Sequence, residues 1–144
     1  MSLFDKLSQA KNAKAEANAK AGEAFLKLNA EKPGVVSLPS GIQYEVIKEG
    51  TGAKPGPVSE VTCHYHGTLI DGTVFDSSVN RGAPATFPLN RVISGWTEAL
   101  QLMSVGSKWR LFLPPASAYG DRQVSAAIGP NSTLIFEVEL LGIK

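Results

Sequence analysis

The sequence is poor in the side chains that most often hold metals or form cross-links. It has one cysteine, Cys63, and two histidines, His64 and His66. A single cysteine cannot form an internal disulfide, and the apolar neighbourhood of Cys63 favours an inert buried thiol. The histidines share one strand face while Cys63 points through the other, so no third ligand completes a zinc site. We therefore expect surface histidines, no metal and no cofactor.

The signatures of several enzyme classes are also missing. The chain contains neither a Gly-x-x-x-x-Gly-Lys phosphate loop nor a Gly-x-Gly-x-x-Gly turn. No strained turn is apparent that would present a nucleophile to either histidine in a Ser–His–acid triad. Asp76 and Glu98 could be imagined as an acid–base pair, but nothing in the sequence sets their separation. The sequence therefore argues against hydrolysis and phosphoryl transfer.

Long apolar runs and an excess of one charge are absent as well. Fourteen basic and 13 acidic side chains leave a formal net charge of +1, which gives no reason to expect nucleic acid or a membrane surface as a partner. No apolar run has the roughly 20 residues of a bilayer span. No basic segment followed by an apolar stretch opens the chain. We expect a cytoplasmic protein, or a periplasmic one if a signal segment has been removed.

The first part of the chain has the composition of a helix. Residues 4–31 contain no proline, one glycine and many Ala, Lys, Glu and Asn residues. Such a helix would be marginal alone in water. We expect its apolar end, with Phe25 and Leu28, to pack on the following domain or on a second copy of the chain. An outward patch of Phe112 and Ile135 could receive it, although scattered surface hydrophobic residues are the alternative.

From residue 33 onward the pattern changes to that of a sheet. Glycines and prolines recur, and apolar residues alternate between them, with Phe136, Val138 and Leu140 predicted to point inward from the last strand. The Asp71-Gly72 pair predicts a hairpin turn, and residues 95–103 are the one good helical candidate. We predict an α+β fold in which an antiparallel β-sheet wraps around one short α-helix, preceded by an N-terminal α-helix. The predicted domains are 1–32, a helix for docking or dimerisation, and 33–144.

Aromatic side chains gather beside polar turns in this second part, and core filling alone could explain them. Five strings stand out among them: YHGTLIDGTVFDSS (65–78), VISGWTEAL (92–100), MSVGSK (103–108), AYG (118–120) and LIFEVEL (134–140). Together they closely resemble the FKBP-type family of peptidyl-prolyl isomerases, also called macrolide-binding immunophilins, in family order and spacing over about residues 40–144. The helix leading into residues 32–44 is similar to the bacterial subgroup of macrophage infectivity potentiator proteins, where such a region commonly mediates dimerisation.

The resemblance implies one pocket with Trp96 as its floor. Asp76 would be a buried acceptor paired with Arg81. The Tyr119 hydroxyl and the Ile93 N–H would donate hydrogen bonds to the bound segment. The implied catalytic residues are Tyr65, Asp76 and Tyr119, and the implied substrate-binding residues are Phe75, Val92, Ile93, Trp96, Ile128 and Phe136.

The function implied is cis–trans isomerisation of Xaa–Pro peptide bonds, which assists protein folding. This reaction twists a bond without breaking one, so the missing nucleophile and triad fit it. The implied partners are proline-containing polypeptides and immunosuppressive macrolides, with a homodimer through the N-terminal helix as an option. A non-catalytic module that binds proline segments or macrolides, and a chaperone-like folding helper, remain as alternatives.

Overall fold

The computed structural model describes residues 3–122 and 128–144 of the chain. It is an α+β structure, as predicted, with all its strand pairs antiparallel. Its helices are α1 (Leu3–Asn29), α2 (Ser78–Arg81) and α3 (Ser94–Leu100), and 3₁₀ turns span Leu89–Arg91 and Pro115–Ser117. Its strands are β1 (Val35–Ser37), β2 (Gln43–Lys48), β3 (Glu60–Leu69), β4 (Val74–Ser77), β5 (Ala85–Pro88), β6 (Lys108–Leu113) and β7 (Leu134–Ile143).

The two longest strands form the middle of the sheet. Strand β3 pairs with β7 along its whole length, from Val61 opposite Ile143 to Leu69 opposite Leu134. The sheet order is β1-β2-β6-β7-β3-β4, and β5 pairs with the first half of β3. Because side chains alternate along a strand, every second residue of these strands enters the core. The predicted inward residues of β7 are fully or nearly fully buried, at Phe136, Val138 and Leu140.

Helix α3 packs in the core with one face of the sheet. Its side chains Trp96, Ala99 and Leu100 are 4%, 0% and 0% exposed and join the cluster that includes the inward sheet residues. The prediction of a helix over 95–103 is wrong in length, because α3 ends at Leu100. Met103 is nevertheless completely buried, since the turn after the helix carries it into the core.

The predicted hairpin between β3 and β4 is confirmed. Leu69 N–H donates to the Thr73 carbonyl at 2.9 Å, and Gly72 takes a φ of 92°, a left-handed conformation that suits glycine. Thr73 N–H donates to Asp71 Oδ1 at 2.9 Å, which closes the turn. The hairpin fixes the register that brings Gly67 opposite Asp76.

The polar residues singled out in the sequence lie in ordinary surroundings. Cys63 is fully buried, and burial raises the pKa of its thiol to about 12, as expected for an inert thiol. His64 Nδ1 lies 2.9 Å from Ser78 Oγ, and His66 Nδ1 lies 2.9 Å from Ser77 Oγ.

Within residues 3–122 and 128–144, no helix is long and apolar enough to cross a bilayer.

Helix α1 docks on its own chain, through the outer face of the sheet. The ring centroids of Phe25 and Phe112 are 6.0 Å apart, and Phe112 is only 4% exposed, which confirms the predicted contact. Asn29 Nδ2 donates to Gln43 Oε1 at 2.8 Å, and Gln43 Nε2 donates to the Leu26 carbonyl at 2.8 Å. These bonds satisfy polar groups that docking buries.

Leu28 does not pack on its own domain, because it is 65% exposed, and packing of Leu28 on a second copy of the chain stays a prediction. The docked face of α1 instead repeats every three or four residues through Asn18, Gly22, Leu26 and Asn29. Gly22 makes the closest approach, where an added Cβ would overlap the Thr133 side chain. Leu28 falls outside this stripe because each residue turns the helix by about 100°.

Truncating Phe112 tests how much the docking of α1 stabilises the protein. Phe112→Ala is expected to lower the free energy of unfolding by about 3 kcal/mol, because it leaves a cavity between α1 and the sheet. Val58→Ala, in the loop before β3 where Val58 is 71% exposed, is the control and is expected to change it by less than about 0.5 kcal/mol. Urea denaturation followed by circular dichroism measures both. Equal unfolding midpoints for the two variants would contradict this docking.

Candidate active site

One cavity of about 680 Å³ opens between α3, the ends of β3, β4 and β7, and the segment after β6. The structure brings all the sequence-predicted site residues together around it. Four further residues line it that the prediction left out. The lining residues are Tyr65, Phe75, Asp76, Phe87, Arg91, Val92, Ile93, Trp96, Ala118, Tyr119, Arg122, Ile128 and Phe136.

The floor of the cavity is the Trp96 indole, presented by α3. Its ring centroid lies 5.3 Å from that of Tyr65 and 5.1 Å from that of Phe136, with interplanar angles of 81° and 87°. Phe87 tilts against it at 5.2 Å and 57°. Edge-to-face contacts of this kind are favourable because ring edges are positive and ring faces negative. The result is an apolar box that is open on one side.

Gly67 allows two of the aromatic walls to meet. A Cβ at this position would lie 2.6 Å from Phe75 Cζ and 2.9 Å from Phe136 Cε1, closer than carbon atoms can approach. Without a side chain there, Phe75 packs edge-on against Phe136 with 5.4 Å between the ring centroids. Packing of the two rings therefore requires a glycine at position 67 within β3.

A polar trio lies at the rim of this box. The Tyr65 hydroxyl donates to Asp76 Oδ2 at 2.7 Å, Arg81 Nη1 donates to Asp76 Oδ1, and Arg81 Nη2 donates to the Tyr65 oxygen at 2.9 Å. The predicted pairing of Asp76 with Arg81 is confirmed. The predicted burial of Asp76 is wrong, since its side chain is 43% exposed at the cavity mouth. The carboxylate stays ionised through its partners and not through enclosure.

The local fold carries Arg81 back to Asp76. Strand β4 passes directly into α2, where Ser77 Oγ accepts from Asn80 N–H at 3.1 Å as the helix cap. Ser78 is fully buried, and its hydroxyl accepts from Tyr65 N–H at 2.7 Å. The single helical turn of α2 therefore brings the guanidinium of Arg81 back to the carboxylate of Asp76, five residues earlier in the chain.

The pKa values of the trio follow from these bonds. Partial burial opposes ionisation of Asp76, but hydrogen bonds from Tyr65 and Arg81 and the charge of Arg81 outweigh it, so its pKa is lowered. Burial, and then the bond to Asp76, raise the pKa of Tyr65. At neutral pH the phenol is therefore a donor and the carboxylate an acceptor.

The opposite wall offers backbone and hydroxyl donors. Val92 and Ile93 follow a 3₁₀ turn, and the Ile93 carbonyl accepts from Trp96 N–H at 3.0 Å and Thr97 N–H at 3.2 Å. In the described part of the chain, no acceptor is hydrogen-bonded to the Ile93 N–H. Tyr119 follows the second 3₁₀ turn, and Gly120 N–H donates to the Pro115 carbonyl at 2.8 Å. Both donors border the same cavity.

Sequence reasoning missed Phe87, Arg91, Ala118 and Arg122 as lining residues. Phe87 is part of the aromatic group noted above, and its place opposite Val61 in the β3–β5 pairing aims it at the core side. The two arginines gave no signal of this kind, because an exposed arginine in a loop looks like any solvated charge.

The fold and the site together define an α+β protein with an aromatic pocket and polar groups at its mouth. The model of the family described as FKBP-type peptidyl-prolyl cis-trans isomerase matches residues 51–141. The model of the domain amino terminal to such isomerases matches residues 1–46. The chain therefore belongs to the FKBP-type peptidyl-prolyl cis–trans isomerase family.

Individual relatives agree with this assignment. Outer membrane protein MIP of Legionella longbeachae is 57% identical over 99% of this chain and 61% of its own length. The FKBP-type isomerase FkpA of Aeromonas hydrophila is 56% identical over 98% of this chain and 53% of its own. Other curated relatives are also longer than this chain, which spans 48% of the length of one and 63% of the length of another.

Solved structures match as well. The crystal structure of FkpA from Escherichia coli superposes with a TM-score of 0.91 at 41% identity, covering 95% of this chain and 64% of that one. A peptidyl-prolyl isomerase from Pseudomonas syringae gives a TM-score of 0.84 at 42% identity, covering 90% of this chain and 96% of that one.

The depressed pKa of Asp76 makes its contribution to stability depend on pH. A carboxyl whose pKa is lower in the folded state stabilises the protein above its unfolded pKa, and this stability is lost as pH falls through the folded value. The difference in unfolding free energy between the wild type and Asp76→Asn is therefore expected to shrink below about pH 4. Urea titrations between pH 3 and pH 7 measure it.

The matched control is the same comparison in an Arg81→Gln background. There the bond and the charge that Arg81 contributes are gone while the bond from Tyr65 remains, so part of the lowering of the Asp76 pKa, and part of the pH dependence, should disappear. A wild-type advantage that grows as pH falls would show that the sign of this pKa shift is wrong.

Proposed function

We propose that this protein is a peptidyl-prolyl cis–trans isomerase that assists protein folding by accelerating rotation about Xaa–Pro bonds in the aromatic cavity. The observation that carries the proposal is the box of rings on the Trp96 floor, with Tyr65 and Phe136 edge-on beside it. A prolyl ring fits such a box because it is compact, apolar and has no N–H to satisfy.

Rotation about a peptide bond requires a suitable apolar environment and does not require a nucleophile. Resonance gives the peptide C–N bond partial double-bond character and a rotation barrier of roughly 18–20 kcal/mol. The twisted amide has lost this resonance and is less polar than the planar one. A water-poor apolar pocket therefore favours the twisted form relative to the planar form. Each 1.36 kcal/mol of this preference accelerates the reaction about tenfold.

Polar groups at the rim would orient the chain and respond to the twist. We assign the Tyr119 hydroxyl and the Ile93 N–H as donors to carbonyls of the bound segment, since both border the cavity. Tyr65 and Asp76, locked together by Arg81, would keep that side of the mouth in one arrangement. The proposed catalytic residues are Tyr65, Asp76 and Tyr119. The proposed substrate-binding residues are Phe75, Val92, Ile93, Trp96, Ile128 and Phe136.

The proposed partners are proline-containing polypeptides and immunosuppressive macrolides, since proteins of this family bind both. A non-catalytic binding module would use the same cavity. We favour catalysis because the chain belongs to a family of isomerases, whereas the apolar box and its rim donors would serve binding equally well. The folding-helper alternative gives the N-terminal helix the main role, and the contact of Phe25 with Phe112 shows where that helix docks on its own chain without separating the two functions.

Activity is expected to depend on the wall and the rim together. The double variant Phe75→Ala/Asp76→Asn should lose at least about tenfold in kcat/KM, since it opens the box and breaks the polar trio. The matched control is Asp71→Asn/Val74→Ala in the same hairpin, where Val74 is 45% exposed. A protease-coupled assay with an Xaa–Pro peptide, with and without a macrolide, measures both.

Two results would count against the proposal. If the wild type isomerised the peptide no faster than buffer but bound the macrolide, the protein would be a binding module. If the double variant kept full activity, the site would lie elsewhere.

We further propose that residues 1–32 form a segment distinct from the isomerase domain of residues 33–144, and that it joins two copies of the chain. The face of α1 turned away from its own domain carries Leu28, which is 65% exposed. Light scattering is expected to give a dimer for the full chain and a monomer for a chain beginning at Val35. The same oligomeric state for both chains would exclude this role for α1.

The location we propose is the periplasm, in preference to the cytoplasm. One of the relatives above is named an outer membrane protein, which supports the periplasmic alternative. Osmotic-shock fractionation of cells that produce the full-length protein tests it, and recovery in the cytoplasmic fraction would overturn it.

A further inference from the structure

Two asparagines join helix α1 to the segments that carry the far wall of the cavity. Asn18 Nδ2 on α1 donates to the Pro130 carbonyl at 2.8 Å. Asn131 Nδ2 donates to the Ala15 carbonyl on α1 at 3.3 Å. Asn131 N–H donates to the Gly120 carbonyl at 2.8 Å. Asn131 therefore bonds to the helix through its side chain and to the residue after Tyr119 through its backbone.

The backbone of Asn131 is adapted to this double contact. Its φ is 55°, and it is the one non-glycine with positive φ in the described ranges 3–122 and 128–144. Asparagine is among the few residues that adopt this left-handed conformation readily. A non-glycine residue keeps this sparsely populated conformation only where the surrounding structure holds it there.

The segment 128–131 is packed tightly against α1. Pro130 is fully buried and Ile128 is 5% exposed. A Cβ added at Gly129 would lie 2.8 Å from Lys14 Cε and 3.3 Å from Asn18 Nδ2. Lys14 and Asn18 of α1 therefore lie against Gly129, which is next to Ile128 in the cavity wall. A shift of the helix would be transmitted to Ile128 through this contact.

We propose that Asn131 and Asn18 are positioning residues for the isomerase pocket, through which the seat of α1 fixes Tyr119 and Ile128. The inference rests on the proposed function. It makes the N-terminal helix a structural part of the catalytic unit in addition to any role in joining copies of the chain. The residues act through Tyr119 and Ile128, and neither asparagine lines the cavity.

The expected effect follows from the bonds. A net hydrogen bond contributes about 1 kcal/mol, which corresponds to about a fivefold change if the bond holds the geometry of the reacting state. A misplaced Tyr119 would lose interactions that strengthen as the amide twists, and such a loss appears in kcat more than in KM.

Two variants separate these bonds from the backbone. Asn131→Gly removes the side-chain bond to Ala15 while keeping the left-handed conformation and the N–H that reaches Gly120. Asn18→Ala removes the bond to Pro130 while improving helix propensity. Lys20→Ala on the same helix is the control, because Lys20 is 74% exposed and pairs only with Glu16 in the described part of the chain.

The measurements are kcat and KM for an Xaa–Pro peptide and the affinity for a macrolide, at a temperature where circular dichroism shows every variant folded. Asn131→Gly and Asn18→Ala should each lower kcat about fivefold, with KM changed less than about twofold and Lys20→Ala unchanged. Wild-type kcat in both variants, with only a lower urea midpoint, would overturn the proposal. An equal fall in Lys20→Ala would overturn it too.

The failure of the proposed function would look different. A wild type that does not accelerate the peptide leaves macrolide affinity as the readout of pocket geometry. Weaker macrolide binding in the two asparagine variants and not in Lys20→Ala would then still support the positioning role. Unchanged binding in both would reject it.

Discussion

The packing of Trp96 is the contact on which both the core and the cavity depend. One face of α3 closes the apolar cluster through Ala99 and Leu100, which are completely buried. The same helix turns the indole toward the cavity, where the edges of Tyr65 and Phe136 meet it. Stability and function therefore share one side chain, and this explains why the cavity can be apolar and open without collapsing.

The polar trio at the cavity mouth shows how a charge is kept beside such a box. Asp76 is partly exposed, and its ionised form is held by Tyr65 and Arg81. A fully buried carboxylate would carry a large desolvation cost, while a fully solvated one would populate several rotamers. Between these limits, the three side chains are held by mutual hydrogen bonds, and Arg81 neutralises the charge of Asp76 locally.

The second layer of the structure is built on the outer face of the sheet. Helix α1 covers Phe112 and reaches around to the segment behind Ile128, so one helix touches both the back of the sheet and the back of the pocket. Its docked stripe contains polar residues that find buried partners, such as Asn29 with Gln43. A face of this kind gains specificity from hydrogen bonds, since Ala-rich surfaces offer little apolar area.

Much of this could be predicted from the sequence where the determining interactions are local. Alternation in β7 and the Asp71-Gly72 turn depend on neighbouring residues, and both predictions are confirmed. The strings at residues 65–78 and 92–100 helped to identify the family and contain six of the thirteen residues that line the cavity. The differences concern residues whose environment is set by distant segments: Leu28 does not pack on its own domain, and α3 is shorter than predicted.

The sequence by itself determined the fold class, the family and five of the six aromatic residues of the pocket, because strand alternation, turn residues and motif spacing are written along the chain. Only the tertiary structure decided that Asp76 lies at an open rim, that Phe87, Ala118 and two arginines complete the lining, and that Asn18 and Asn131 tie α1 to the pocket. Exposure and long-range hydrogen bonds arise from which surfaces meet, and segments more than 100 residues apart carry no local signal of their meeting.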